Sequence, residues 1–269
     1  MQVLPAPQLA LYIKHYLWVQ KPATVGGQLR MFSDGNPGIA FCCEGSLYAD
    51  ALHKNPYPAI FAYGQIDTHR VIYASENVKL LIAVMHPYGL SSLMRAPAQV
   101  LNNEILNDEV LFSPAFINDA KALLYPIDIT TRLTKADKLF GRLLTDRLMA
   151  TESLLAATIE HVRKLNGNVN SAGFSNFTGF SERYLEKKFK EHIGMSPKKF
   201  ARITRMLSFI KSLQAADDAS TLTVQAYRAG YFDQAHLNHD FKALTGTTPS
   251  EFAAQRQSLA LNLFTLRKD

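Results

Sequence analysis

Short apolar runs rich in β-branched and aromatic residues fill the first ninety positions. GIAFCC, SLYADAL, PAIFAYG, HRVIYAS and VKLLIAVMHP are separated by Gly, Pro, Asn and Asp, residues that turn or break a strand. Runs of that length predict strands, and several in close succession predict a barrel or a sandwich. From about Leu90 the period changes. SPAFINDAKALLYP and TKADKLFGRLLTDRLMA carry apolar residues at intervals of three and four, as an amphipathic helix does, with Ser113 and Thr134 available as N-caps. Past residue 150 no strand-like alternation is found, and short helices are expected throughout. The expected fold is multidomain α+β: residues 1–150 a β-rich unit followed by helices, residues 151–269 an all-α unit.

Charge sharpens this division. Residues 1–150 hold 13 Lys and Arg against 12 Asp and Glu, whereas residues 151–269 hold 16 against 11. The excess in the second unit suggests a polyanionic partner, although a solvated, mildly basic surface gives the same count. No apolar run reaches the ~20 residues that span a bilayer. The N-terminus lacks a basic leader and a small-residue cleavage site, so neither a membrane partner nor secretion is expected. Cys42 and Cys43 are the only cysteines. Being adjacent, they make no disulfide framework and are expected as small apolar strand residues in a reducing cytoplasm.

An internal duplication organises the second unit. FSERYLEKKFKEHIGMSPKKF (180–200) aligns with FDQAHLNHDFKALTGTTPSEF (232–252) at an offset of 52 residues. Leu185 falls on Leu237, Phe189 on Phe241, Lys190 on Lys242, Gly194 on Gly246, Pro197 on Pro249 and Phe200 on Phe252. Gly179 and Gly230 precede the two copies at an offset of 51, which puts one extra residue in the second turn. Ser181 or Asp233 caps a helix whose buried stripe is Leu185, Phe189 and Ile193, or Leu237, Phe241 and Leu244. Gly194 or Gly246 ends it at positive φ, and Pro197 or Pro249 starts the next helix, with Thr248 and Glu251 forming a capping box. A short helix before each turn glycine completes two helix-turn-helix units, at about 169–193 and 222–245.

Asp233, His236, His239 and Asp240 lie within eight residues and resemble a metal site. The twin copy has Ser181, Tyr184, Lys187 and Lys188 there, which cannot make one. His236 and His239 alone are two ligands where tight sites need three or four. No metal or other cofactor is expected.

The outward faces suit another task. With Leu185 buried, Arg183, Glu186, Lys187 and Lys190 point outward; the matching set is Ala235, Asn238, His239 and Lys242. A solvated face is the plain reading of either helix alone. Two such faces on duplicated helix-turn-helix units in the basic half point to double-stranded DNA, whose major groove admits a helix. There Arg and Lys donate to guanine, Asn and Gln pair with adenine, and Glu accepts from cytosine. Between the units, PKKFARITRMLSFIKSLQ has Phe200, Ile203, Leu207, Ile210 and Leu213 on one stripe and predicts a spacer helix. Lys198, Lys199, Arg202 and Arg205 crowd its first turns and are candidates for phosphate, as are Ser181, Lys190 and Lys242.

Residues 151–256 resemble the DNA-binding domain of the AraC/XylS family of bacterial transcription regulators. AYRAGYFDQAHLNHDFKALTGTTPSEF is close to that family's signature over its full length. The resemblance implies a module whose two helix-turn-helix units read successive major grooves, acting as an activator or repressor with RNA polymerase as partner. It places Arg183, Glu186 and Lys187 as readers in the first unit, and Gln234, Ala235, His236 and His239 in the second. Two departures stand out. The first support helix, VNSAGFSNF, has Ser171, Gly173 and Ser175 where the family has better helix formers. Ala235, where a polar reader is common, can offer only a methyl contact to thymine.

The N-terminal half resembles, more faintly, cupin-like sensor and dimerisation domains joined to such modules. That implies a small-molecule effector, pairing of two chains, or both. Trp18, Tyr48, Tyr63 and Tyr73 could line a pocket, although aromatics in a β domain are more often core. The rival class is a cupin-like metal-dependent enzyme with an accessory helical domain. Against it, His15, His53, His69 and His86 are well separated and form no His-x-His pair, and no Ser/His/Asp or phosphate-loop pattern occurs. A repeat serving only protein contacts is the third class, and the basic readers argue against it.

Overall fold

The computed structural model describes residues 1–21, 27–107, 111–144, 150–215, 222–254, 258–260 and 262–265. The apolar runs become strands β1 (Gln2–Val3), β2 (Ile13–Lys21), β3 (Gly27–Met31), β4 (Gly38–Glu44), β5 (Leu47–Tyr48), β6 (Ile60–Tyr63), β7 (Arg70–Ala74) and β8 (Val78–Met85). Helix α1 (Gly89–Met94), strand β9 (Ile105–Asn107) and helices α2 (Pro114–Lys121) and α3 (Ile129–Gly141) follow. The C-terminal half contains α4 (Ala150–Lys164), α5 (Ser171–Thr178), α6 (Glu182–His192), α7 (Pro197–Ala215), α8 (Leu222–Arg228), α9 (Gln234–Thr245) and α10 (Pro249–Ala254), then strands β10 (Ser258–Ala260) and β11 (Leu263–Thr265).

Two antiparallel sheets face each other, in the orders β1-β2-β8-β4-β6-β9 and β10-β11-β3-β7-β5. The barrel or sandwich expected from the strand pattern thus takes the form of two facing sheets. Alternation along β8 shows how the sequence builds the layers, since successive strand side chains point to opposite faces. Val78, Leu80, Ile82 and Val84 join Leu17, Val19, Leu29, Phe61 and Ile72 in the core between the sheets. Leu81, Ala83 and Met85 point the other way, into a second core shared with the helices.

That second core crosses the middle of the chain. It runs without a break from Ile13, Ile39 and Phe41 through Phe116 and Phe140 to Phe189, Phe209 and Phe241. Each such side chain, fully buried, contributes about 1.5–3 kcal/mol relative to exposure. Gly35 shows how close the halves approach: at φ +74, a Cβ there would lie 2.9 Å from the Phe200 ring.

Two local expectations are corrected. Thr134 is not an N-cap. Helix α3 begins earlier, capped by Asp128, whose Oδ1 accepts from the Thr131 amide at 2.9 Å, and Thr134 lies inside it, donating to the Thr130 carbonyl at 3.0 Å. Ser113 does cap α2, accepting from the Phe116 amide. The C-terminal region is also not helical throughout: β10 and β11 form a hairpin on the edge strand β3, with Leu263 opposite Met31 and Thr265 opposite Leu29. Asn262 seals the junction. Its carbonyl accepts from the Phe32 amide and its side-chain amide donates to the Phe32 carbonyl, each at 3.1 Å.

Candidate nucleic-acid interface

Each half of the duplication folds as a short support helix, a glycine turn and a longer exposed helix. Support helix α5 is eight residues long and holds despite Gly173, because the Asn170 side chain accepts from the Gly173 amide at 2.8 Å and Phe174 is buried. Gly179 then takes φ 73 and Gly230 φ 85, values open to glycine at little cost. Ser181 caps α6 by accepting from the Tyr184 amide at 3.3 Å, and Asp233 caps α9 by accepting from the His236 amide at 2.7 Å. Leu185 and Phe189, like Leu237, Phe241 and Leu244, are buried as the wheel required. The capping box closes as expected: the Thr248 amide donates to Glu251 at 2.7 Å and the Glu251 amide to Thr248 Oγ1 at 3.2 Å.

A second symmetry ties each support helix to its exposed helix. Ser171 Oγ donates to Glu182 Oε1 at 2.6 Å in the first unit, and Thr223 Oγ1 donates to Gln234 Oε1 at 3.0 Å in the second. Both pairs span eleven residues, so each unit carries a polar latch that the apolar alignment missed. Gln234 therefore holds its own unit together through its side-chain oxygen.

The structure places the remaining candidate readers on open surface. Arg183, Glu186 and Lys187 are exposed on α6, as are Ala235, His236 and His239 on α9, and Asn238 is half-buried beside them. His236 is the least free of these, edge-on to Tyr231 with ring centroids 5.3 Å apart and its Nε2 3.8 Å from Asp240. Ser181, Lys190, Lys198 and Lys242 are also exposed.

Two of the phosphate candidates are placed elsewhere. Lys199 is paired with Asp67 of the N-terminal half. Burial raises the Asp67 carboxyl, but hydrogen bonds from Lys199 and Asn103 outweigh it and hold Asp67 below its usual range. Arg202 pairs with the buried Asp240 at 2.9 Å, joining α7 to α9. Both cations have carboxylate partners in this structure. Arg205 likewise turns inward, donating to the Gly167 carbonyl at 3.3 Å and lying over the Tyr231 ring. No spacing rule finds such partners, because Asp67 and Asp240 reach these residues only through the fold.

Both exposed helices end against the N-terminal half. Ser91 Oγ donates to the His192 carbonyl at 2.7 Å, at the C-terminus of α6. Arg30 Nη1 donates to the Gly246 carbonyl at 3.1 Å, at the C-terminus of α9. Helix C-termini carry unpaired carbonyls and partial negative charge, so these donors, and Arg30 most of all, suit their positions. Helix α7, with Phe200, Ile203, Met206, Phe209 and Ile210 buried, holds the two units apart. At 19 residues it is about 28 Å long, close to one turn of B-DNA at roughly 34 Å.

Among the described residues, no group of three or more His, Cys, Asp and Glu side chains converges as a metal site would require. Residues 174–255 match the model of a family described as "Helix-turn-helix domain". Residues 1–107 match a second family, described as "Domain of unknown function (DUF6597)". Over 87 residues the chain is 28% identical to the HTH-type transcriptional activator RhaS of Pectobacterium atrosepticum, a match that spans 32% of this chain and 30% of RhaS. Among solved structures, ToxT from Vibrio cholerae O395 is 14% identical with a TM-score of 0.45, covering 89% of this chain and 95% of ToxT. Unsaturated fatty acid-bound wild-type ToxT from Vibrio cholerae is 13% identical with a TM-score of 0.46, covering 88% and 94%. The matched helix-turn-helix domain thus coincides with the duplicated units, and its exposed helices are α6 and α9.

Proposed function

We propose that this chain is a sequence-specific DNA-binding transcription regulator that lays α6 and α9 into successive segments of one major groove. The observation that carries this reading is the repeated unit itself: two capped helices, latched alike to their support helices and held by one spacer, each presenting polar side chains. Arg183, Glu186 and Lys187 read bases in the first segment, and Gln234, Ala235, His236, Asn238 and His239 in the second. Ser181, Lys190, Lys198 and Lys242 hold phosphates. Residues 1–150 then serve as the sensing or pairing unit and residues 151–269 as the reader. RhaS is an activator by name, and activation through RNA polymerase is the mode we assign here, in the cytoplasm. No described helix is long and apolar enough to cross a membrane.

The test is titration of duplex DNA with the full-length chain at two salt concentrations. Neutralising several phosphates releases counterions, so affinity should fall steeply as salt rises. Binding that ignores salt, or no binding to any duplex, overturns the reading.

A further inference from the structure

Phe232 is 82% exposed, more than any other large apolar side chain among the described residues. Its backbone is anchored on both sides. Tyr231 before it is buried, with its amide donating to the Ala226 carbonyl at 3.0 Å, and Asp233 after it is fixed by accepting from the His236 amide. The ring is thus presented at one defined place, the residue just ahead of the N-cap of α9.

The duplication supplies an internal comparison. Phe180, the twin of Phe232 at the 52-residue offset, is 42% exposed and stacks on Tyr184, with ring centroids 4.7 Å apart and planes 21° from parallel. In the second unit the twin of Tyr184 is His236, whose ring is turned edge-on to Tyr231 instead. Phe232 has therefore lost the ring its twin lies on, and among the described residues it makes no ring contact.

A single exposed apolar side chain is ordinary on a protein surface; the place of this one is what matters. A helix-turn-helix reader sets its N-terminal residues against base edges in the major groove. Gln234 and the exposed Ala235 begin α9 immediately after Phe232 and its neighbouring cap. A phenyl ring has no charge for a phosphate and no donor or acceptor for a polar base edge. The group in the major groove that suits it is the 5-methyl of thymine, which Phe and Ala side chains meet by apolar contact.

We propose that Phe232 is a specificity residue of the second reader, its ring covering the 5-methyl group of a thymine in the half-site read by α9. The inference rests on the regulator reading and deepens it by naming a base that α9 selects.

The experiment uses the duplex that the full-length protein enriches from a random library, with each thymine replaced in turn by deoxyuridine, which lacks only that methyl. At one position the replacement should weaken wild-type binding about fourfold, the effect of one buried carbon. Phe232→Ala should bind the unsubstituted duplex at least about fourfold more weakly and should ignore deoxyuridine at that position. Its salt slope should equal that of the wild type, because no phosphate contact is lost. Phe180→Ala, in the other unit, should keep the deoxyuridine response. An enriched site without thymine, wild-type binding indifferent to every replacement, or a response that survives in Phe232→Ala overturns the proposal and leaves the regulator reading standing. Unchanged DNA affinity in Phe232→Ala overturns it too, and marks the ring as a contact for a protein instead. Failure of the wild type to bind any duplex overturns both.

Discussion

Lys187 and His239 stand at equivalent positions of the two exposed helices, with side chains 70% and 82% exposed. Replacing either with alanine should remove a base contact worth about 1–3 kcal/mol from the cognate site while the melting temperature stays unchanged. Unaltered affinity in both variants contradicts their assignment as readers. Lys198→Ala should instead weaken all sequences about equally and lower the salt slope by about one. A different residue contributes to acid sensitivity. Burial, with the Arg163 and Lys14 charges nearby, pulls His86 down to about 4, and burial lowers His15 and His192 as well. An unfolded histidine titrates near ~6.5, so on acidification the unfolded chain takes up its protons first. The contribution of His86 is whole above that value and is lost as pH falls toward 4. Thermal melts followed by circular dichroism should therefore drop between about pH 7 and about pH 5, less steeply in His86→Gln. A wild-type melting temperature that rises on acidification rules this out. At this scale the outward faces of α6 and α9 were legible because helical periodicity fixes which side is outward. The pairing of Lys199 and Arg202 was not, because their carboxylates lie far away in sequence.

The duplicated unit shows what each element needs in order to form. Helix α9 has no acidic residue in its first turn, so Asp233 is its principal N-terminal support. Asp233→Ala should cost about 0.5–2 kcal/mol and speed amide exchange in the first turn of α9 while leaving α6 unchanged. Equal exchange in the two forms would show that packing alone fixes that end. The caps, glycine turns and capping box could be read from the sequence, since each depends on residues within four positions of one another. The latches Ser171–Glu182 and Thr223–Gln234 also sat in the sequence at the 52-residue offset. They were hidden because the turn glycines align the support helices at 51, which puts Ser171 on Leu222, and because Glu and Gln differ chemically. Strands β10 and β11 were less accessible still, because their partner is β3 at the other end of the chain.

At the scale of the whole molecule, the two halves share one core, and both exposed helices end on donors from the N-terminal half. The hairpin β10–β11 adds a further clamp by completing the sheet that contains β3. Ending the chain after Ala254 should uncover the β3 edge, lowering the melting temperature and promoting association, since an unpaired edge is a template for another strand. An equally stable, monodisperse truncated chain would show that the clamp contributes little. Because the two halves share one core, the proposed DNA reading is to be tested on the full chain. The most direct test of the central claim is selection of a random duplex library by the full-length protein, sequenced at two salt concentrations. The account predicts a bipartite motif with halves about one helical turn apart, the half read by α6 degraded in Lys187→Ala and the other in His239→Ala. A single undivided motif, or no enrichment at either salt concentration, would contradict it.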